Sequence, residues 1–373
     1  MEQFSAFIGL DVHKDRISVA VAEAGRGGEV RSLGAVPNTV DAVSRLVRRI
    51  TGRWGCVEFV QEAGPCGYGL HRHLEQLGQA SRVVAPSRTP KRSGDRIKND
   101  TRDALMLARL LRAGELEFNW VPDQVHEAVR DLVRARQAVS FDVRKARQRI
   151  QSFLLKHDRR YVKKPWGGPH REWLANQSFG HPAQQIAFEN YLRTEAQAVV
   201  RRAELDQQIR EILPTWSMAP LVEALQALRG VALVIAVCIV AEVGDMTRFK
   251  NARHLMAFLG LVPAERSSGA SVRPRGITKT GNNIVRSHLL EAAWCYRLHA
   301  KIGVRLIRRD NSLPEIAKEI AWKAQVRLCG RYRRLMARGK KSQLVTTAIA
   351  RELVGFIWAI GQEFSPRSHP ART

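Results

Sequence analysis

Cysteine pairs, long apolar runs and acid are all in short supply in this sequence, and each shortage removes a class of protein. The 5 cysteines, Cys56, Cys66, Cys238, Cys295 and Cys329, are odd in number, widely separated and in no CxxC pairing. Such a set builds neither a disulfide framework nor a zinc site, so the thiols read as reduced. No apolar stretch approaches the roughly 20 residues of a membrane-spanning helix, and residues 1–20 lack a signal-peptide core. A cytoplasmic protein with no membrane partner is expected. Acid is the scarcest commodity: 35 Asp and Glu face 61 Lys and Arg, a formal net charge of +26 over 373 residues. A folded chain with 45% hydrophobic residues repels itself at that charge unless a polyanion shares its surface, which points to nucleic acid. The length suits two or three domains.

What is present falls into successive blocks. Up to residue 85, strand-like runs (Phe7–Val12, Ile17–Ala22, Cys56–Val60, Arg82–Ala85) alternate with helical spacing at Ala42–Ile50 and Gly69–Leu77, the pattern of an α/β domain. Helical spacing at Ala104, Leu105, Leu107, Ala108, Leu110 and Leu111 closes that domain near residue 120. From Val125 to Phe153 apolar residues step by threes and fours among Arg and Lys, until "KKPWGGP" at 163–169 breaks the helix. A second helix, Ala183–Leu213, follows, so 121–215 is expected to form a basic helical hairpin or coiled coil. Residues 216–362 are mostly helical around the polar loop 263–283, and 363–373 read as a disordered tail.

Four carboxylates stand out against the basic background. Asp11 ends the first strand, Glu62 follows "CVEFV", and Asp100 and Asp103, three apart at a helix start, share a face. Each alone reads as a turn or cap residue. Together, from three elements that an α/β domain brings to one strand edge, they supply the hard oxygen ligands of Mg²⁺. Two such ions about 4 Å apart activate a nucleophile and stabilise a leaving oxygen in phosphodiester cleavage.

"GLDVHKD" at 9–15, Glu62 in "QEAG" and "IKNDTRDALMLARLL" at 97–111 resemble the DEDD-type transposases of the insertion sequence 110 family. The N-terminal domain of that family resembles the RuvC resolvase within the ribonuclease H-like fold. The resemblance continues through "FLGLVPAERSSGASVRPRGITKTGNNIVR", 258–286, and spans nearly the whole chain. It implies that the D-E-D-D set is Asp11, Glu62, Asp100 and Asp103, with Asp95 a lesser neighbour, and that a serine of "RSSG" attacks DNA covalently. Ser268, which abuts Gly269, is preferred and Ser267 stays open. It further implies Mg²⁺ at the acidic site, element-end and target DNA as substrates, a structured guide RNA and a homodimer or homotetramer whose subunits could share a site. Where relatives carry a PGIG turn this chain has "RGVA" at 229–232, so a packed helix pair is expected there instead of a phosphate-binding turn.

Cations for nucleic-acid binding are expected at Arg144, Lys145, Arg147, Arg149, Lys156, Arg159, Arg160, Lys163 and Lys164, and around the serines at Arg266, Arg273, Arg275 and Lys279. Tyr161 and Trp166 are candidates to stack on exposed bases, and the HxH of His71 and His73 is not expected to hold a metal. The leading expectation is a Mg²⁺-dependent recombinase working through a serine–DNA intermediate. A RuvC-like nuclease that only hydrolyses DNA and a non-catalytic basic nucleic-acid-binding protein are the alternatives.

Overall fold

In the computed structural model, which describes residues 4–25, 27–90, 99–265, 274–304, 306–307 and 313–366, the first apolar run forms strand β1, Ala6–Val12. The chain divides at residue 121 into two units. The first is built on five strands in the order β3-β2-β1-β4-β5, with β2 Arg16–Glu23, β3 Val30–Pro37, β4 Val57–Glu62 and β5 Ala80–Val84. β1, β2 and β3 are antiparallel neighbours, whereas β4 runs parallel to β1 and β5 parallel to β4. This mixed sheet accords with a ribonuclease H-like domain.

Period-two alternation sends the strands' side chains to two different layers. Ile8, Leu10, Ile17, Val19, Val21 and Phe59 pack against Val43, Leu46, Val47 and Ile50 of helix α1, Val40–Trp54, and Leu74 of helix α2, Gly69–Gln76. The opposite face is lined by small residues. Ala20 and Ala22 meet Ala104 and Ala108 of helix α3, Asp100–Ala113, while Val60 and Val84 meet Leu107 and Leu111. Gly9 lets α3 come closest: a Cβ there would strike the Ala104 carbonyl and lie 2.6 Å from the Ala108 nitrogen. Strand β3 escapes the sequence pattern because it is an exposed edge strand, bulged at Val19/Ala20 of its partner, with little apolar alternation to read. His71 and His73 serve the fold, each 3.0 Å from a serine hydroxyl, Ser81 and Ser44 respectively.

The second unit is helical apart from one short hairpin. Helix α4, Gln124–Lys156, and helix α6, Pro182–Ile212, run antiparallel, joined by ion pairs Arg136–Asp206 at 2.7 Å and Arg147–Glu195 at 2.8 Å. At 33 residues, α4 is roughly 50 Å long. Its start, Val129 and Val133, enters the main core, and its end, Ile150 and Leu154, packs with Phe188 and with Leu174 of helix α5, Gly168–Ala175, in a separate aromatic core. The main core gathers α7 Ala219–Leu225, α8 Leu233–Val243, α9 Ala252–Phe258, α10 Asn283–Ala293, α11 Glu315–Ala337 and α12 Ser342–Phe364. The two strands β6, Pro263–Glu265, and β7, Pro274–Ile277, pair between α9 and α10. The sequence expectation that nothing matches a spanning helix needs correction. α12 has the length and apolarity of one, and half of its apolar window is buried, as in the core helix of a folded domain.

A buried carboxylate ties this unit together. Glu242, its side chain 2% exposed, accepts from Arg134 Nε at 2.8 Å and Nη2 at 3.0 Å and from Asn282 Nδ2 at 2.6 Å. Asn282 in turn caps α10, its Oδ1 accepting from the Ile284 and Val285 amides. Removing the guanidinium leaves a charge in the core with one amide for company, so Arg134→Ala is expected to cost the helical unit about 3 kcal/mol. Urea unfolding followed by far-ultraviolet circular dichroism measures it, and Glu242 replaced together with Arg134 should recover part of the loss. The described cysteines are all free, and burial pushes the Cys238 thiol up to about 12, which leaves it inert at neutral pH.

Candidate active site

Register places the first two acids side by side. Leu10 of β1 pairs with Gln61 of the parallel strand β4, so the next residues, Asp11 and Glu62, stand at neighbouring strand ends and on the α3 face. Helix α3 brings the other two. Asn99 caps it by accepting from the Thr101 amide, which puts Asp100 and Asp103 in its first turn, where the helix dipole favours negative charge. Residues 100, 103, 104, 107 and 108 lie on one helical face, and that face packs on the sheet through Ala104, Leu107 and Ala108. Local strand ends and one closely seated helix thus carry all four carboxylates to the same end of the sheet.

Two residues absent from the sequence-derived set stand among them. His13 Nε2 lies 3.2 Å from Asp11 Oδ2 and 3.6 Å from Asp100 Oδ1, and one ligand atom from each of these three residues falls within 4.8 Å of the others. Arg16 Nη2 donates to Asp100 Oδ2 at 2.8 Å. The signal was visible in "VHKDR", since a tight β1–β2 turn, closed by His13 N–H to the Arg16 carbonyl at 3.0 Å, brings His13 to Asp11 and Arg16 to Asp100. Glu62 stands outside the compact trio and accepts from the buried Thr89 hydroxyl at 2.8 Å.

Charge and burial oppose each other here. Burial raises the Asp11 pKa above the ordinary aspartate value; His13 partly offsets this, and the negative charges of Asp100 and Asp103 reinforce it. Asp100 goes the other way, held below its ordinary value chiefly by the Arg16 hydrogen bond. The donor set, carboxylate oxygens with one imidazole nitrogen, fits a hard divalent ion.

Ser267 and Ser268 lie outside the described residues, as do Asp95, Arg266 and Arg273 and the side chain of Arg275. Lys279 is exposed and holds a left-handed φ of 57° beside Gly281, at 72°, where a Cβ would strike the Phe258 carbonyl. Along α4 and beyond it, Arg144, Lys145, Arg149, Lys156, Arg160, Lys163 and Lys164 are exposed to solvent. Arg147 and Arg159 are engaged internally. Arg147 pairs with Glu195 and covers the Trp166 ring, and Arg159 donates to Gln177 and the Ser178 carbonyl over Phe179. The 229–232 turn is packed, with Arg229 donating to the His299 carbonyl at 2.8 Å.

Comparison with known proteins decides the family. A DEDD-type transposase model for insertion sequence 110 matches residues 8–157, and the model described as the transposase IS116/IS110/IS902 family matches residues 222–305. A Sinorhizobium fredii protein named as transposase y4qE is 50% identical over 359 residues, 96% of this chain and 89% of the relative. The chain belongs to the IS110 transposase family. The transposase for insertion sequence element IS1533 of Leptospira borgpetersenii is 30% identical across 90% of this chain and 98% of its own. That for IS1111A of Coxiella burnetii is 29% identical across 66% and 67%. An IS110-family transposase binds DNA and is, at the general level, an enzyme of DNA cleavage and strand transfer. The first family match contains Asp11, Glu62, Asp100 and Asp103, and the second contains Ser267 and Ser268.

Proposed function

We propose that this transposase cuts and rejoins DNA through a divalent-metal site at Asp11, Asp100 and Asp103, with Glu62 beside them, and a covalent link to Ser268 or Ser267. The observation that supports this reading is the convergence of Asp11, His13 and Asp100 within 4.8 Å at one end of the sheet. In this reading Asp11, Glu62, Asp100 and Asp103 would hold Mg²⁺, up to two ions. A bound Mg²⁺ supplies charge for the scissile phosphate and lowers the barrier to oxygen nucleophiles and leaving groups.

The protein's own groups do the rest. The serine Oγ forms a bond to phosphorus as one P–O bond of the strand breaks, and the departing oxygen takes up the proton the serine releases, so no net hydrolysis occurs. The phosphoserine link keeps the bond energy for joining a second strand. Exposed cations along α4 and Lys279 neutralise phosphates without reading sequence. Target choice then falls to a structured RNA paired with DNA, and cutting two duplexes calls for a dimer or tetramer.

The test incubates purified protein, Mg²⁺, total host RNA and labelled DNA carrying the element's ends, then seeks a covalent protein–DNA adduct on a denaturing gel. An adduct absent from Ser268→Ala or Ser267→Ala, and from Asp11→Ala, is the expected result and names the nucleophile. Strand cleavage with no adduct, untouched by either serine change, would replace this reading with metal-dependent hydrolysis of the RuvC kind.

A further inference from the structure

Two of the three described non-glycine residues with positive φ, Asp158 at 55° and Trp166 at 68°, flank the tip that joins α4 to α5. Strained backbone of this kind persists only where packing over-determines it, and it concentrates at functional sites. Here the packing is aromatic. The His170 ring, 3% exposed, stacks on Trp173 with centroids 5.8 Å apart at 16°, and Tyr161 lies 4.6 Å from His170 and 5.4 Å from Trp173. His170 Nδ1 accepts from the Trp166 amide, and burial together with Arg171 and Arg147 lowers its pKa, so this floor carries no charge at neutral pH. Trp166 packs on His170 and under Arg147, and Tyr161 and Trp173, both half-buried, are the rings that line the hollow beside it.

Above that floor is an open hollow of about 390 Å³, lined by the apolar Val162 and Pro169 as well as by Arg160, Tyr161, Lys163, Glu172, Trp173 and Asn176, within the roughly 300–1,000 Å³ of small-ligand sites. Its chemistry is divided. Glu172 and Trp173 belong to α5 and Asn176 is its C-cap, so that an acceptor and an amide flank a ring. Arg160 and Lys163 stand exposed on the other rim. A fully apolar ligand has no use for that rim, and duplex DNA cannot present a ring to the floor.

We infer that the hollow at the hairpin tip binds one unpaired nucleobase of a single-stranded segment: its ring lies on Tyr161 and Trp173, its edge meets Glu172 and Asn176, and its phosphates meet Arg160 and Lys163. Base stacking on aromatics tolerates any sequence, while a carboxylate at the edge favours bases that offer amino groups. The inference rests on the chain being a nucleic-acid enzyme and is independent of the acidic site.

The full chain is titrated with fluorescein-labelled 12-mers of single-stranded RNA, single-stranded DNA and duplex DNA over a range of salt. In parallel, 5-iodouracil oligomers are photo-crosslinked and the adducts located by mass spectrometry. Expected results are a crosslink at Tyr161 or Trp173, and a loss of about 10-fold in single-strand affinity for Tyr161→Ala with the salt slope kept. Tyr161→Phe should restore the affinity. Lys163→Ala should lower the salt slope by about 1, and Glu172→Gln should narrow the preference between cytosine and uracil. The RNA and DNA arms identify the source of the base. Crosslinks only at other segments, or equal losses for duplex and single strand in Tyr161→Ala, would overturn the inference. A chain that binds no nucleic acid in any arm would instead remove the reading on which it rests.

Discussion

Asp11→Asn is expected to abolish DNA cleavage and adduct formation, by on the order of 10²–10³-fold or more, while leaving the protein folded and no less stable than the parent without metal. The second half follows from the sign of the Asp11 shift. Its folded-state pKa is raised by burial and by its acidic neighbours, so ionising it at neutral pH works against folding. That penalty is complete above the raised folded-state value and fades as pH falls from there to the ordinary aspartate value. The amide keeps the shape and removes the charge. Added Mg²⁺ should therefore raise the thermal midpoint of the wild type, because it binds only the folded site, and should barely move that of the variant. A variant that loses activity and stability together, with no change in its response to Mg²⁺, would mean that Asp11 is a structural turn residue.

Gly9→Ala is expected to damage both the stability and the activity of the first unit. The added Cβ meets backbone, the Ala104 carbonyl and the Ala108 nitrogen of α3, and neither can rotate away. The helix must lift from the sheet, at a cost of about 3 kcal/mol, a large share of the 5–15 kcal/mol that holds a typical domain together. Asp100 and Asp103 ride on the first turn of that helix. Displacing it by a fraction of an ångström separates them from Asp11, so cleavage should fall by 10²-fold or more even at a temperature where the chain remains folded. Thermal denaturation and Mg²⁺-dependent cleavage measured on one preparation test both effects. Unchanged activity would show that the helix does not position the carboxylates.

Both variants depend on the small-residue seam between β1, β2 and α3, formed by Gly9, Ala20, Ala22, Ala104 and Ala108. It sets the close approach that lets acids from distant segments share a site. The same seam explains why His13 and Arg16 matter. With α3 this near, the end of the β1–β2 turn reaches Asp100, which Arg16 meets at 2.8 Å and His13 Nε2 at 3.6 Å. Under the proposed metal site Arg16 would compete with the ion for Asp100, so Arg16→Ala is expected to tighten Mn²⁺ binding several-fold, read by calorimetry.

The sequence by itself determined the α/β character of the first unit, the long basic helices of the second, the four carboxylates and the motifs that tie the chain to its family. These are properties of spacing and residue type, carried by period-two and 3.6-residue patterns that each segment displays without its neighbours. Strand β3 was illegible, since an exposed edge strand has no buried face to impose alternation. α12 was overlooked as an apolar stretch of spanning length, and composition does not separate a helix at the centre of a core from one that crosses a membrane. What only the tertiary structure decided was proximity. The insertion of His13 and Arg16 among the acids, the pairing of Arg147 with Glu195 inside the hairpin and the opening of Tyr161 and Trp173 onto a hollow all depend on which backbones can approach. That is settled by contacts between residues far apart in the chain, where one absent Cβ at Gly9 counts for more than any local propensity.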